Sequence, residues 1–189
     1  VYKRQPGALP DYWEVRDTSA PEDQPVSRHM TLRRTDPAAG EVWIDVALHG
    51  SEGYAGPWAD AAAPGDRLVA LGPGGKWMPD PDATWSLFAG DDAAVPAVLA
   101  NLEALPVSAR GEVVLEVQDA AHELDLSVVA VPEGITVRWV HRADEAPGER
   151  ALVQGIADAA WPEDVSGVQA FVHGEREAMK AARAVLFDQ

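Results

Sequence analysis

Residues 85–96 read Trp-Ser-Leu-Phe-Ala-Gly-Asp-Asp-Ala-Ala-Val-Pro, and this run decides the fold. A short apolar stretch closes at Ala89-Gly90 and two carboxylates follow. Val95, Val98, Leu99 and Leu102 then recur at helical spacing. The segment therefore reads as strand, tight turn and helix. In an open α/β sheet such a turn lies at the carboxyl end of a strand, where nucleotides bind.

Downstream the same grammar repeats. Strand-like runs at 85–89, 112–118, 136–141 and 168–173 alternate with helical patterns at 93–105, about 149–160 and 176–187. Val113-Val114-Leu115 is too continuously apolar for a half-wet strand and suits a parallel sheet covered on both faces. Alternating β and α segments imply a doubly wound sheet. Met179, Ala182 and Leu186 give the last helix its apolar face.

Upstream the pattern is different. Residues 76–84 place Pro79 and Pro81 among aspartates and read as an interdomain connection. Before it, Met30-Thr31-Leu32 and the alternating run 41–49 flank a turn at Asp36-Pro37-Ala38-Ala39-Gly40, the signature of an antiparallel hairpin. In that run Val42, Ile44, Val46 and Leu48 are expected on one face. A short helix is expected within 54–63, a third strand at Arg67–Leu71, and an irregular lead-in at 6–27. The opening Val-Tyr-Lys-Arg-Gln departs from the composition that follows. It resembles translated adapter sequence and is given no structural role. The expected division is a β piece over 6–80 and an α/β domain over 84–189.

Composition narrows the function. The net charge of −16 disfavours non-specific binding to nucleic acid or anionic membranes. The absence of cysteine removes thiol catalysis, thiolate metal sites and disulfides together. No apolar run approaches the ~20 residues that cross a bilayer, and nothing resembles a signal peptide, so a cytoplasmic protein is expected. GxGxxG, P-loop, HExxH and GxSxG strings are all missing, and no cluster of histidine ligands suggests a metal.

Four constellations could carry chemistry. Arg28-His29-Met30-Thr31-Leu32-Arg33-Arg34 is the one dense positive patch in an acidic chain, and the arginine fork suits phosphate. A charged, solvated edge strand is the alternative. His49-Gly50-Ser51-Glu52-Gly53-Tyr54-Ala55-Gly56-Pro57-Trp58 places small residues between a strand and a helix, where backbone N–H groups can meet a phosphate. Trp58 either covers a ring or fills core, and His49 either contacts a ligand or ends a strand. Gly90-Asp91-Asp92 and His173-Gly174-Glu175 are two strand-glycine-acid-helix turns on one carboxyl-end rim. One of Asp91 and Asp92 also reads as a helix N-cap, and paired carboxylates suit ribose hydroxyls or an amide better than phosphate. Arg138 and Arg142 stand near the end of the third α/β strand, where they read as solvated surface with a 2′-phosphate contact as the alternative.

In this order the four constellations resemble the siderophore-interacting protein family, flavin-dependent ferric-siderophore reductases related to the ferredoxin reductases. The likeness rests on Arg28 to Arg33, on Asp45 with His49-Gly50 and Gly53 to Ala59, on 64–75, on Leu87 to Val98, and on His173-Gly174-Glu175. It implies part of an FAD-binding β-barrel followed by a ferredoxin-reductase-like NAD(P)H-binding domain. It further implies that Arg28 and Arg33 contact the FAD pyrophosphate and that Thr31 lies beside the isoalloxazine. By the same likeness His49, Gly50, Ala55, Gly56 and Trp58 belong to the FAD site. Gly90, Asp91, Asp92, Gly174 and Glu175 would line the nicotinamide nucleotide.

Met30 stands where the family usually has tyrosine, exchanging ring stacking for a thioether contact. Gly56-Pro57 replaces a hydroxyl-basic pair. The family's barrel begins well before Arg28, so the chain reads as a truncated member whose barrel lacks strands. The implied activity passes a hydride from NAD(P)H to FAD and electrons to a ferric siderophore, with no catalytic side chain and no resident metal. It needs the arginine hairpin and the glycine-acid corners to share one crevice. A generic flavin or ferredoxin-type reductase, or a nucleotide-binding module without redox activity, are the alternatives.

Overall fold

The chain is described by a computed structural model that covers residues 2–3, 12–48, 53–75, 77–148 and 150–187. It divides into two compact units, Val1–Gly75 and Lys76–Gln189, each taken here by itself.

The second unit follows the repeating grammar of its sequence. Its strands are β4 (Trp85–Gly90), β5 (Arg110–Val117), β6 (Gly134–His141) and β7 (Val168–His173). Its helices are α3 (Val95–Ala104), α4 (Ala151–Ala157) and α5 (Arg176–Phe187). The four strands form one wholly parallel sheet in the order β6-β5-β4-β7. Side chains alternate across it, as the two-residue repeat of a strand requires. Phe88, Val113 and Leu115 join Val95, Val98, Leu99 and Leu102 of α3 in one core. Leu87, Ala89 and Val114 join Leu152 and Ile156 of α4 and Ala182 of α5 in the other. Apolar cover on both sides explains why Val113-Val114-Leu115 is uninterrupted. Pro96 stands in the first turn of α3, where a missing N–H costs nothing.

The β7 edge of this sheet is covered. Trp77 packs its ring 4.9 Å from Phe171 of β7 and 6.1 Å from Phe88, covering the outer strand on the α3 side. The 77–84 segment is tied on as well, because Gln169 accepts from the Asp80 N–H at 2.8 Å and donates to Ser86 Oγ at 3.0 Å.

The first unit holds β1 (Tyr2–Lys3), α1 (Tyr12–Thr18), a 3₁₀ turn (Pro21–Asp23), β2 (Arg34–Asp36), β3 (Glu41–Trp43) and α2 (Ala55–Ala61). Its sheet is antiparallel in the order β1-β3-β2. Asp36 Oδ1 accepts from the N–H groups of Ala38 and Ala39, both at 3.0 Å, which closes the expected hairpin turn.

Several expectations are corrected here. Tyr2 and Lys3 pair with Val42 and Glu41, so the opening residues do have a structural role. The lead-in contains a helix and a 3₁₀ turn. Met30-Thr31-Leu32 forms no strand. Pairing begins where the Arg33 N–H meets the Trp43 carbonyl at 2.8 Å. The strand expected over 41–49 stops at Trp43, and Leu48 is exposed. Arg67–Leu71 forms no strand. A strand exists only where a neighbour takes its backbone groups. Among the described residues neither 44–48 nor 67–71 has such a neighbour.

Candidate functional site

The two glycine-acid turns lie side by side, since Gly90 and His173 are register partners at the carboxyl ends of β4 and β7. Asp91 is 4% exposed and joins them. Its Oδ1 accepts from the Ala93 N–H at 3.0 Å and its Oδ2 from the Glu175 N–H at 2.8 Å. Each corner needs its glycine for space. A Cβ on Gly90 would collide with Ala94 and the His173 carbonyl. One on Gly174, at φ +157°, would lie 2.6 Å from Asp91 Oδ2. Asp91 is thus an internal staple rather than an exposed hydroxyl acceptor. Neither Asp91 nor Asp92 caps α3, whose N-cap is Ala94. Glu175 fills that role for α5, with Oε2 accepting from the Glu177 N–H at 2.6 Å and from Ala178 at 3.4 Å. Those N–H groups, Glu177 first, hold its carboxyl below the usual glutamate range.

Behind the rim are two buried acids that the sequence reading missed, Glu112 and Glu116, and the two arginines that face them. Glu116 of β5 is fully buried, and accepts from the Gly148 N–H at 2.6 Å and the Leu152 N–H at 2.9 Å. It therefore anchors the 146–148 loop and the first turn of α4. Burial raises its pKa, against the opposing pull of those two N–H groups and of Arg142. Arg142 forms an ion pair with Asp92, its Nη2 2.7 Å from Oδ2, and its Nη1 stands 4.0 Å from Glu116 Oε1. Arg138 grips Glu112 Oε1 at 2.7 and 2.9 Å and the Gly155 carbonyl at 2.6 Å, while Glu112 Oε2 takes the Ala160 N–H at 2.8 Å. Neither arginine is solvated surface: both neutralise carboxylates that flank a buried strand. The signal for them was present. Glu112 and Glu116 bracket Val113-Val114-Leu115, and buried acids need partners. A shallow cleft of about 250 Å³ opens on this rim, lined by Ala146, Pro147, Gly148, Glu175, Glu177 and Ala178.

In the first unit Arg28 is exposed, donates to the Ser27 carbonyl at 2.8 Å, and sets its guanidinium 5.4 Å from the Tyr54 ring centre. That contact brings the arginine segment to the residue preceding α2. Arg33 is 8% exposed and 3.9 Å from Asp45 Oδ2, so it serves the interior of the unit. Met30 and Trp58 are exposed, Thr31 and Ala55 half-buried, and Gly56 buried. His49 and Gly50 lie outside the described residues.

Comparison with known proteins decides the family. Residues 83–189 match the family model of siderophore-interacting protein, and residues 2–77 that of the siderophore-interacting FAD-binding domain. The chain belongs to the siderophore-interacting protein family. Among members, ferric vibriobactin reductase ViuB of Vibrio cholerae is 38% identical over 169 residues, 88% of this chain and 60% of its own length. An uncharacterised protein of Mycobacterium bovis is 42% identical over 165 residues, 82% of this chain and 56% of that protein. The chain thus spans under two thirds of the length of these relatives. The crystal structure of a siderophore utilization protein from T. fusca superposes with a TM-score of 0.78 at 34% identity, covering 91% of this chain and 63% of that one.

For a siderophore-interacting protein the architecture is as expected, a piece of an FAD-binding β domain followed by a parallel-sheet α/β domain. Of the expected site residues, Gly90, Asp91, Gly174 and Glu175 converge at one corner, and Asp92 is held beside it by Arg142. Among the described residues no group of three or more histidines and acids is arranged to hold a metal ion. No helix among them is long and apolar enough to cross a membrane.

Proposed function

We propose that the chain is part of an NAD(P)H-dependent, FAD-containing ferric-siderophore reductase. The observation that carries this reading is the rim at β4 and β7. The helix after β4 covers one face of the sheet, and the helices before and after β7 cover the other. Adjacent strands whose connections leave on opposite faces define a switch point, the usual place for a nucleotide. Family membership of both halves, and the likeness to a ferric vibriobactin reductase, supply the redox chemistry and the substrate class.

The donor sets fit the two cofactors. Arg28 is the exposed cation beside Tyr54 and would hold the FAD pyrophosphate, while the buried Arg33 would act through its tie to Asp45. Met30 and Thr31 would pack at the isoalloxazine, and Ala55, Gly56 and Trp58 would complete the phosphate and adenine side. Gly90, Asp92, Gly174 and Glu175 would line the nicotinamide nucleotide, with Asp91 holding both turns at fixed separation. When bound, the cofactors supply hydride transfer from nicotinamide to flavin and single electrons for Fe(III) of the siderophore. The protein's own task is alignment and exclusion of water, and it needs no side-chain acid or base.

The test uses the intact gene product that contains this chain. It should take up FAD, turn yellow, bleach anaerobically with NADH or NADPH, and regain colour as a ferric siderophore yields Fe(II) to a trapping chelator. Loss of one charged hydrogen-bonding partner in Arg28→Ala should cost about 1.5–3 kcal/mol of FAD affinity, on the order of ten- to a hundredfold in Kd. A protein that cannot take up FAD, or whose flavin ignores both nicotinamides, overturns the reading.

A further inference from the structure

Three observations meet at Arg142. Its side chain is 13% exposed, and it bridges the ends of three strands: Asp92 follows β4, Glu116 lies on β5, and Arg142 itself follows β6. Among the described residues its Nη1 is the buried side-chain nitrogen left without a hydrogen-bond partner. The next residue, Ala143, has φ +52°, a left-handed backbone that a Cβ disfavours. That backbone is fixed by the Ala143 N–H on the Gln118 carbonyl at 2.9 Å and the Glu145 N–H on the Arg142 carbonyl at 3.0 Å.

Each observation is a local cost. A guanidinium free to settle would close on Glu116 and satisfy Nη1. Instead it stops at 4.0 Å, about an ångström beyond hydrogen-bonding range, and keeps its close ion pair with Asp92. Strain and an unmet donor persist where the surroundings over-determine a position, and they gather at sites that need that position. The position kept here is that of Asp92, two residues before the N-cap of α3 and next to the staple Asp91.

We propose that Arg142 is a positioning residue for the nicotinamide-nucleotide turn. It fixes Asp92, and through Asp92 the backbone of residues 91–94, with Glu116 and the strained Ala143 holding Arg142 in turn. This rests on the reading of the β4–β7 rim as the NAD(P)H site, and the experiment separates the two.

NADH and NADPH are each titrated calorimetrically into the full protein carrying its FAD, as wild type, Arg142→Lys, Arg142→Met, Asp92→Asn and the Arg142→Met/Asp92→Asn double variant. Amide hydrogen exchange of residues 91–94 is followed without ligand. The inference expects Arg142→Met to weaken both nucleotides about tenfold, Arg142→Lys to recover part of that loss, and FAD content to stay constant. The double variant should lose no more than Asp92→Asn alone, and exchange in the 91–94 turn should quicken in Arg142→Met.

A wild type that binds neither nucleotide sinks the reading of the rim. A wild type that binds, with all variants binding equally, sinks the positioning role even if their melting temperatures fall. A loss confined to NADPH makes Arg142 a direct partner of the 2′-phosphate and also overturns it. Asp92→Asn and Arg142→Lys keep the test open should Arg142→Met fail to fold.

Discussion

The two units differ most in what they bury. In the second, Phe88, Leu102, Leu115, Leu152 and Ile156 are wholly inside, on both faces of a four-stranded sheet. Among the described residues of the first, no hydrophobic side chain is buried to that degree, and the enclosed residues are Arg33 and Gly56. Strands of two and three residues with no apolar layer against them contribute little folding free energy. Val26, Met30, Leu48, Trp58, Val69 and Leu71 are all exposed there. The α/β unit is built around two hydrophobic layers, whereas the described residues of the β unit enclose almost no interior.

Dividing the chain between Gly75 and Lys76 puts that contrast to its hardest test. Residues 76–189 should keep a cooperative thermal transition by circular dichroism, and residues 1–75 should show none. A sharp transition in the shorter piece would erase the contrast. Next in size are core truncations. Phe88→Ala should cost about 3–5 kcal/mol in urea unfolding, whereas Val42→Ala in β3 should cost under about 1 kcal/mol.

The smallest effect sharpens the comparison within the rim itself. Glu175 has its folded pKa below the ordinary 4.5, so its contribution is present above that value and fades as pH falls through the folded one. Glu116 has its folded pKa raised above 4.5, so its cost grows as pH climbs from 4.5 to the folded value. Urea midpoints measured over a pH series should fall on the acid side, and Glu175→Gln should flatten that limb. An unchanged acid limb in this variant would assign the loss to other carboxylates.

What could be read from the sequence follows the same division. The apolar runs around Leu87-Phe88-Ala89 and Val113-Val114-Leu115 and the spacing of Val95, Val98, Leu99 and Leu102 placed the strands and helices of the second unit, because burial there writes itself into periodicity. In the first unit Val42 to Leu48 alternates just as cleanly, yet pairing ends at Trp43. Alternation states which way side chains point, and says nothing of whether a neighbouring strand is present. The glycine-acid corners were legible as local motifs. Behind them, Glu112 and Glu116 in an apolar run signalled buried acids, but the pairings themselves were not legible, since Asp92–Arg142 and Glu112–Arg138 join residues 50 and 26 positions apart. An arginine read as solvated surface from its place near a strand end is seen to pair only once the sheet brings it to an acid.

Asp91 also imposes an order on the making of this protein. The Glu175 N–H that its carboxylate binds belongs to a residue 84 positions later. While β4, α3, β5 and β6 leave the ribosome, one of its oxygens has no such donor, and β4 lacks its outer neighbour. Chains grow at about 5–20 residues per second, so that half-made corner persists for seconds during each round of translation. The corner closes only when β7 arrives, so this rim is assembled after the other three strands of its sheet have been made.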